Sequence, residues 1–228
     1  MVAIVIAAAI SMHDCNVEHG IYAYSLDVSG LKESSYEWVN GESPLPGWQS
    51  YVENEPVATL KRNSGSATAG GLYLWETNGL FAIGTLSGSG KPRYFGCIFE
   101  NDTFVEVTNL VLTTRCAQVR ARNTGADFVY LQYAIAKNLE SIVDPGIEWN
   151  RVQSATFFSL VISGILDGEL PAYGPVIETE ISSALAAGER LAVRWVDYSP
   201  ASGGNAAFAY PLFRLDFTAD PGFSVRLR

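Results

Sequence analysis

The 228-residue chain carries 24 acidic and 15 basic residues, and its net charge of −9 opposes the positive field that a phosphate backbone requires, which excludes nucleic acid as a partner. Hydrophobic residues make up 48% and charged residues 17%, so there is ample material for a core and no composition for disorder. Cys15, Cys97 and Cys116 are an odd set without a Cys-x-x-Cys pair, so they supply neither a disulfide framework nor a zinc or redox motif.

The chain opens on "MVAIVIAAAI", which lacks the basic flank of a signal peptide and is too short to span a bilayer. It is expected to be a strand or an assembly arm. Residues 1–19 form that arm, with residues 2–10 as the segment through which a homo-oligomer would pair; residues 20–228 form one domain. "HDCNVEH" follows, holding His13, Asp14, Cys15, Glu18 and His19. No standard metal spacing fits them, and they read as a polar connector. Between 30 and 70, "GESPLPGW" and "KRNSGSATAGG" read as surface loops.

From residue 94 onward the grammar is that of strands. "YFGCIF" (94–99), "TFVEVTNLVLTT" (103–114), "AQVRARN" (117–123), "DFVYLQYAI" (127–135), "ATFFSLVIS" (155–163) and "GFSVRLR" (222–228) are rich in β-branched and aromatic residues. Gly, Pro, Asn and Asp punctuate them. Cys97 and Cys116 fall inside such runs and are expected to be buried free thiols. "GSGKPRY" (88–94) fails as a phosphate loop in its glycine spacing and in having Pro92 where Ser or Thr should stand, so it reads as a hairpin loop. "SSALAAGE" (182–189) has room for one helical turn at most, ending at Gly188.

The clearest period lies near the end. Leu191, Val193 and Trp195 alternate with Arg190, Ala192 and Arg194, and Phe213, Leu215 and Phe217 alternate with Arg214, Asp216 and Thr218. Each run is expected to be an antiparallel strand with one apolar face. Short strands recurring with turn signals predict an all-β fold: a single antiparallel β-sandwich of jelly-roll type with long surface loops.

No catalytic constellation emerges. There is no G-x-S-x-G elbow to present a serine to either histidine, and scattered carboxylates do not by themselves make a facing pair. Aromatics such as Phe128, Tyr130, Phe157 and Trp195, on alternating runs, are expected in the core or directly across the sheet from it. Trp48, Tyr51, Trp75, Tyr173, Tyr198 and Tyr210 are expected in loops, as candidate exposed platforms for a ligand or as plugs at the sandwich ends. "NDT" (101–103) is a formal glycosylation sequon.

Four segments, in order, resemble one family: "SPLPGWQSY", "AGGLYLWETNGLFAIGTLSGSGKPRYFGCIFEN", "ADFVYLQYAI" and "ISSALAAGERLAVRWVDYSPASGGNAAFAYPLFRLDF". They resemble the jelly-roll-like sandwich domain of bacterial exported surface proteins of the PEP-CTERM or choice-of-anchor type. The resemblance implies a structural or adhesive module at the cell surface or outside the cell, with other protein subunits or surface glycans as partners. It also makes Asp197 and Asp216 the candidate ligands for calcium, the one cofactor considered. The alternative for both acids is a turn-fixing role through backbone hydrogen bonds.

The chain is therefore expected to be a non-enzymatic structural or binding module without a membrane span. One setting is a secreted bacterial surface protein. The other is a virion or similar particle, with the chain as a capsid, decoration or fibre subunit. A carbohydrate-binding module is the alternative function, and a glycoside-active enzyme is the reading ranked below it.

Overall fold

The computed structural model describes residues 8–18, 20–88, 90–121, 127–160, 170–199 and 205–219. In chain order the strands are β1 (Ile10–Ser11), β2 (Asn16–Glu18), β3 (Ile21–Ser25), β4 (Ser35–Glu37), β5 (Trp48–Val52), β6 (Glu55–Pro56), β7 (Thr59–Asn63) and β8 (Gly71–Thr77). They continue with β9 (Leu80–Leu86), β10 (Arg93–Glu100), β11 (Val107–Arg120), β12 (Phe128–Ala136), β13 (Asn150–Phe158), β14 (Ala172–Ile181), β15 (Arg190–Tyr198) and β16 (Ala207–Ala219).

These strands form two sheets, as the alternating runs predict. The seven-stranded sheet has the order β13-β12-β15-β10-β5-β6, with β1 added parallel to β10. The nine-stranded sheet has the order β14-β11-β16-β9-β8-β7-β4, with β3 and β2 branching from β16. Every pairing is antiparallel except β1 with β10 and β7 with β8. Among the described residues no helix is long and apolar enough to cross a membrane.

Alternation decides what lies between the sheets. Leu191, Val193 and Trp195 of β15 point inward with Phe95 and Cys97 of β10, and meet Tyr210, Phe213, Leu215 and Phe217 from β16. At the centre the rings stack: Trp48 on Phe95 at 4.8 Å, Trp195 on Tyr210 at 4.4 Å and Phe95 on Tyr210 at 5.7 Å, with Phe213 edge-on to Trp48 at 5.1 Å. Two of these rings have their polar atoms bonded inside. Trp48 Nε1 donates to Tyr24 Oη at 2.7 Å, and the Tyr210 and Thr85 hydroxyls pair at 2.8 Å. Cys97 and Cys116 are buried free thiols, as expected.

Several expectations are corrected. Region 30–70 is more than surface loop: it supplies β4 to β7 and the buried Trp38, Leu45, Trp48 and Leu60. "GSGKPRY" joins two different sheets through a turn bridged at Gly88 and Lys91, so it is a crossover and not a hairpin. Residues 107–114 of one run and 117–120 of the next share one long strand, β11, whose bulge between Arg115 and Ala117 bends it without ending it. The 182–189 segment makes no helix; Leu185 forms an isolated bridge with Val107. Of the N-terminal arm, the described Ile10–Ser11 pairs with β10 of its own chain and Met12 is fully buried. Residues 1–7, 122–123 of run 117–123, 161–163 of run 155–163, and all of 222–228 lie outside the described residues.

The sequon is closed by the fold. Asn101 is fully buried and its Nδ2 donates to the carbonyls of Val105 and Leu185, both at 2.8 Å, so the nitrogen that would carry a glycan is spent.

The packing of β10 against β15 depends on Gly96, which lies opposite Arg194 in the register. A methyl group there would overlap the Val193 carbonyl and press on the Arg194 backbone. Gly96→Ala is therefore expected to destabilise the fold by roughly 2 kcal/mol or more, read as a lower denaturation midpoint in urea with unchanged slope.

Candidate functional site

The outward side chains of the seven-stranded sheet fall into rows set by register. Tyr51, Tyr94, Val196, Tyr130 and Thr156 lie side by side on β5, β10, β15, β12 and β13. One step along the strands toward one end lie Tyr198, Phe128 and Phe158. One step the other way lie Gln49, Gly96, Arg194, Gln132 and Arg151. With neighbouring strands ~4.8 Å apart, each five-residue row extends roughly 19 Å across the sheet.

Two aromatic rows thus lie beside a row of amide and guanidinium groups. Phe128 contacts Tyr130, Phe158 and Tyr198 at centroid distances of 6.0, 6.0 and 6.1 Å. Phe158 is 56% exposed, and Phe128, Tyr130, Tyr198, Tyr94 and Tyr51 are all half-buried. The Arg151 guanidinium lies 4.1 Å above the Tyr130 ring and donates to Thr156 Oγ1 at 3.1 Å. Burial raises the Tyr130 hydroxyl pKa above its ordinary value, with Tyr94 adding to the effect and Arg151 and Arg194 opposing it; the phenol stays neutral.

A wall closes one side of this platform. Loop 137–149 folds back over Ile98, Ala134 and Ala192, burying Leu139 and Ile142 against them. Gln49, fully buried, donates through Nε2 to the Glu140 carbonyl at 3.1 Å and accepts from the Ile142 N–H at 3.0 Å. Arg190 adds a bond to the Leu139 carbonyl at 3.2 Å while paired with Glu100 at 2.7 Å. Arg194 lies between Trp149, 3.6 Å from its ring centroid, and Tyr94, at 4.7 Å. Its Nε and Nη2 donate to Gln132 Oε1 at 2.9 and 2.8 Å, and Nη1 donates to the Ile142 carbonyl. Desolvation lowers its pKa to about 10, which leaves a cation at neutral pH.

The nine-stranded sheet presents a different exterior. Its rows read Glu180, Val111, Asp216, Ala23 and Asn16, then Glu178, Thr113, Arg214 and Ser25. Arg214 and Asp216 form a bidentate pair at 2.7 to 2.9 Å. These rows are solvated and charged, while edge strand β14 also exposes Tyr173 and Val176, at 41% and 54%.

The expected site residues divide accordingly, and all six aromatics lie on strands and not in loops. Tyr51 and Tyr198 join the platform. Trp48 and Tyr210 are core residues, 0% and 2% exposed. Trp75 is also fully buried, in a second cluster under the 64–70 loop with Tyr73 and Leu86. Tyr173 is exposed on edge strand β14 of the other sheet, with Arg115 4.5 Å above its ring. The residues missing from the sequence-based set are Tyr94, Phe158, Trp149, Gln132, Arg151 and Arg194, while Phe128 and Tyr130 were expected at or across from the core. A usable signal lay in run 127–135, where both alternating sets, Phe128 and Tyr130 against Val129 and Leu131, are apolar or aromatic. Such a strand must be covered on both faces or offer one of them.

The two acids expected near calcium are not brought together. Asp216 faces outward on one sheet and spends both oxygens on Arg214. Asp197 is fully buried between the sheets at the end of β15, opposite Arg93. No group of three His, Cys, Asp or Glu side chains among the described residues converges as a metal site. The hydroxyls of Thr85 and Ser87 face Asp197 and favour its charged form, though neither closes a hydrogen bond of normal geometry. Desolvation wins, aided by the charge of Asp127, and raises the Asp197 pKa to about 7.

No protein-family model matches the chain. No curated protein matches it either. Among solved structures, TmCBM61 in complex with beta-1,4-galactotriose is similar with a TM-score of 0.37 and 11% identity, over 79% of this chain and 97% of that one. The K2 cleaved adhesin domain of Lys-gingipain gives 0.42 and 15%, over 87% and 98%. The CBM22-1 xylan-binding domain from Paenibacillus barcinonensis Xyn10C gives 0.39 and 9%, over 82% and 94%. The likeness is one of β-sandwich fold.

Asp197 yields a signed pH dependence. Its folded pKa lies above the ordinary carboxylate value, so the stability it contributes is fully present below about pH 4 and is lost as pH rises through about 7. Thermal midpoints of the wild type are expected to fall relative to Asp197→Asn between pH 5 and pH 8, with the variant the more stable at pH 8. Parallel profiles would show that Asp197 titrates normally.

Proposed function

We propose that the chain is a non-catalytic glycan-binding module, acting outside the cell or at the cell surface, and that it binds sugars on the outer face of the seven-stranded sheet. The observation that carries this reading is the juxtaposition of two aromatic rows with a row of amide and guanidinium groups on one open sheet face. Pyranose rings have apolar C–H faces that pack on the negative face of an aromatic ring, while their hydroxyls need donors and acceptors at the edge. Tyr94, Phe128, Tyr130, Phe158 and Tyr198 supply the first; the phenol hydroxyls and Gln132 supply the second.

The Trp149 wall gives the platform a fixed border, held by Gln49, Arg190 and Arg194, so little ordering is required on binding.

The test is native affinity electrophoresis in gels containing xylan, galactomannan, hydroxyethylcellulose, alginate or polygalacturonate. Retardation by at least one polysaccharide is expected, and Phe158→Ala and Tyr130→Ala should each weaken it roughly tenfold. Tyr173→Ala, on the other sheet, should leave it unchanged. Migration unaffected by every polysaccharide, or retardation lost only in Tyr173→Ala, would contradict the reading.

A further inference from the structure

The charges on the platform point to the kind of glycan, an inference that rests on the proposed binding face. The chain holds 24 acidic residues against 15 basic ones, so an exposed cation has acids to pair with. Four of the described cations do so: Arg62 with Glu76, Arg190 with Glu100 and Arg214 with Asp216 at 2.7 Å, and Lys91 with Glu53 at 2.9 Å; Lys32, Lys61, Arg93, Arg115 and Lys137 do not. Nor do the two on the platform. Neither Arg151 nor Arg194 has an ion-pair partner among the described residues, although they flank the same Gln132 on adjacent strands.

The two guanidiniums have different tasks. Arg194 is 9% exposed and is held by Gln132, the Ile142 carbonyl and the two rings on either side, so it is a positioning residue that adds positive potential beneath the face. Arg151 is exposed, with one bond to Thr156 Oγ1 and its guanidinium carbon 4.1 Å from the Tyr130 ring centroid. The rest of its donor fork is open toward whatever lies on the aromatic rows. Planar, bidentate recognition of an anion is what such a fork does best.

We infer that the platform binds acidic polysaccharides, with the exposed Arg151 guanidinium pairing with a ring carboxylate or sulfate while Tyr130, Phe128 and Phe158 pack on the sugar rings. Binding of this kind would run against the overall charge: a protein of net charge −9 is repelled by a polyanion at long range, so retention by one reports a local site and not ion exchange.

Matched polysaccharides test it. Polygalacturonate is compared with its methyl-esterified form, which has the same rings and linkages without the charge; alginate and chondroitin sulfate distinguish carboxylate from sulfate; xylan and galactomannan are the neutral arm. The expected result is tighter binding to at least one acidic polysaccharide than to any neutral one. For that ligand Arg151→Gln should cost roughly tenfold in affinity and Arg151→Lys less, with thermal midpoints unchanged and binding weakened by added salt. Equal or tighter binding to the neutral arm, or an Arg151→Gln variant that binds the acidic ligand as the wild type does, overturns the inference and leaves the glycan-binding reading intact. Failure to bind any polysaccharide overturns both.

Discussion

The stack of Trp48, Phe95, Trp195 and Tyr210 between the two sheets is the contact on which the remaining structure depends. Four large rings from β5, β10, β15 and β16 cannot slide by one residue without turning every inward side chain outward. The stack therefore fixes register in the seven-stranded sheet, and register decides which residues share a row on the opposite face. The platform is a consequence of the core: Trp195 inward requires Arg194 and Val196 outward, and Phe95 inward requires Tyr94 and Gly96 outward.

That outer face is divided by one loop. Where 137–149 lies over the sheet, the outward residues are small and apolar, Ala134 and Ala192 among them, and they complete a third buried cluster. Where the loop ends at Trp149, the outward residues become aromatic and half-buried. Arg194 stands at this boundary, with a cation enclosed by two rings and its fork satisfied by an amide and a carbonyl, which is how an arginine becomes tolerable at 9% exposure. The boundary is thus built with satisfied polar groups, and the aromatic surface beyond it stays open.

The two-sheet fold was legible because alternation is a local property. Runs such as 190–195 and 213–218 declare one apolar face each, and turn residues separate them. What alternation cannot show is whether the polar face meets water. Arg194 sits in the polar set of its run and was expected outside; it is buried because loop 137–149, distant in sequence, comes down on it. The same limit misplaced Trp48, Trp75 and Tyr210. Flanking Gly and Pro made them look like loop residues, yet each lies on a strand that a distant segment covers. Tyr51 and Tyr198 were singled out on aromatic character alone, which does not decide the sheet face they take. Tyr94, Phe128 and Tyr130 were seen as strand residues, but the face each would take depended on pairings the sequence does not print.

The measurement closest to the central claim is a map of backbone and aromatic side-chain chemical shifts during titration with oligogalacturonate and, separately, with xylo-oligosaccharide. The account predicts perturbations confined to β10, β12, β13 and β15 and to Trp149, strongest at Tyr94, Phe128, Tyr130 and Phe158. Perturbations centred on Thr113, Arg214 and Glu178 of the nine-stranded sheet, or no perturbation by either sugar, would contradict it.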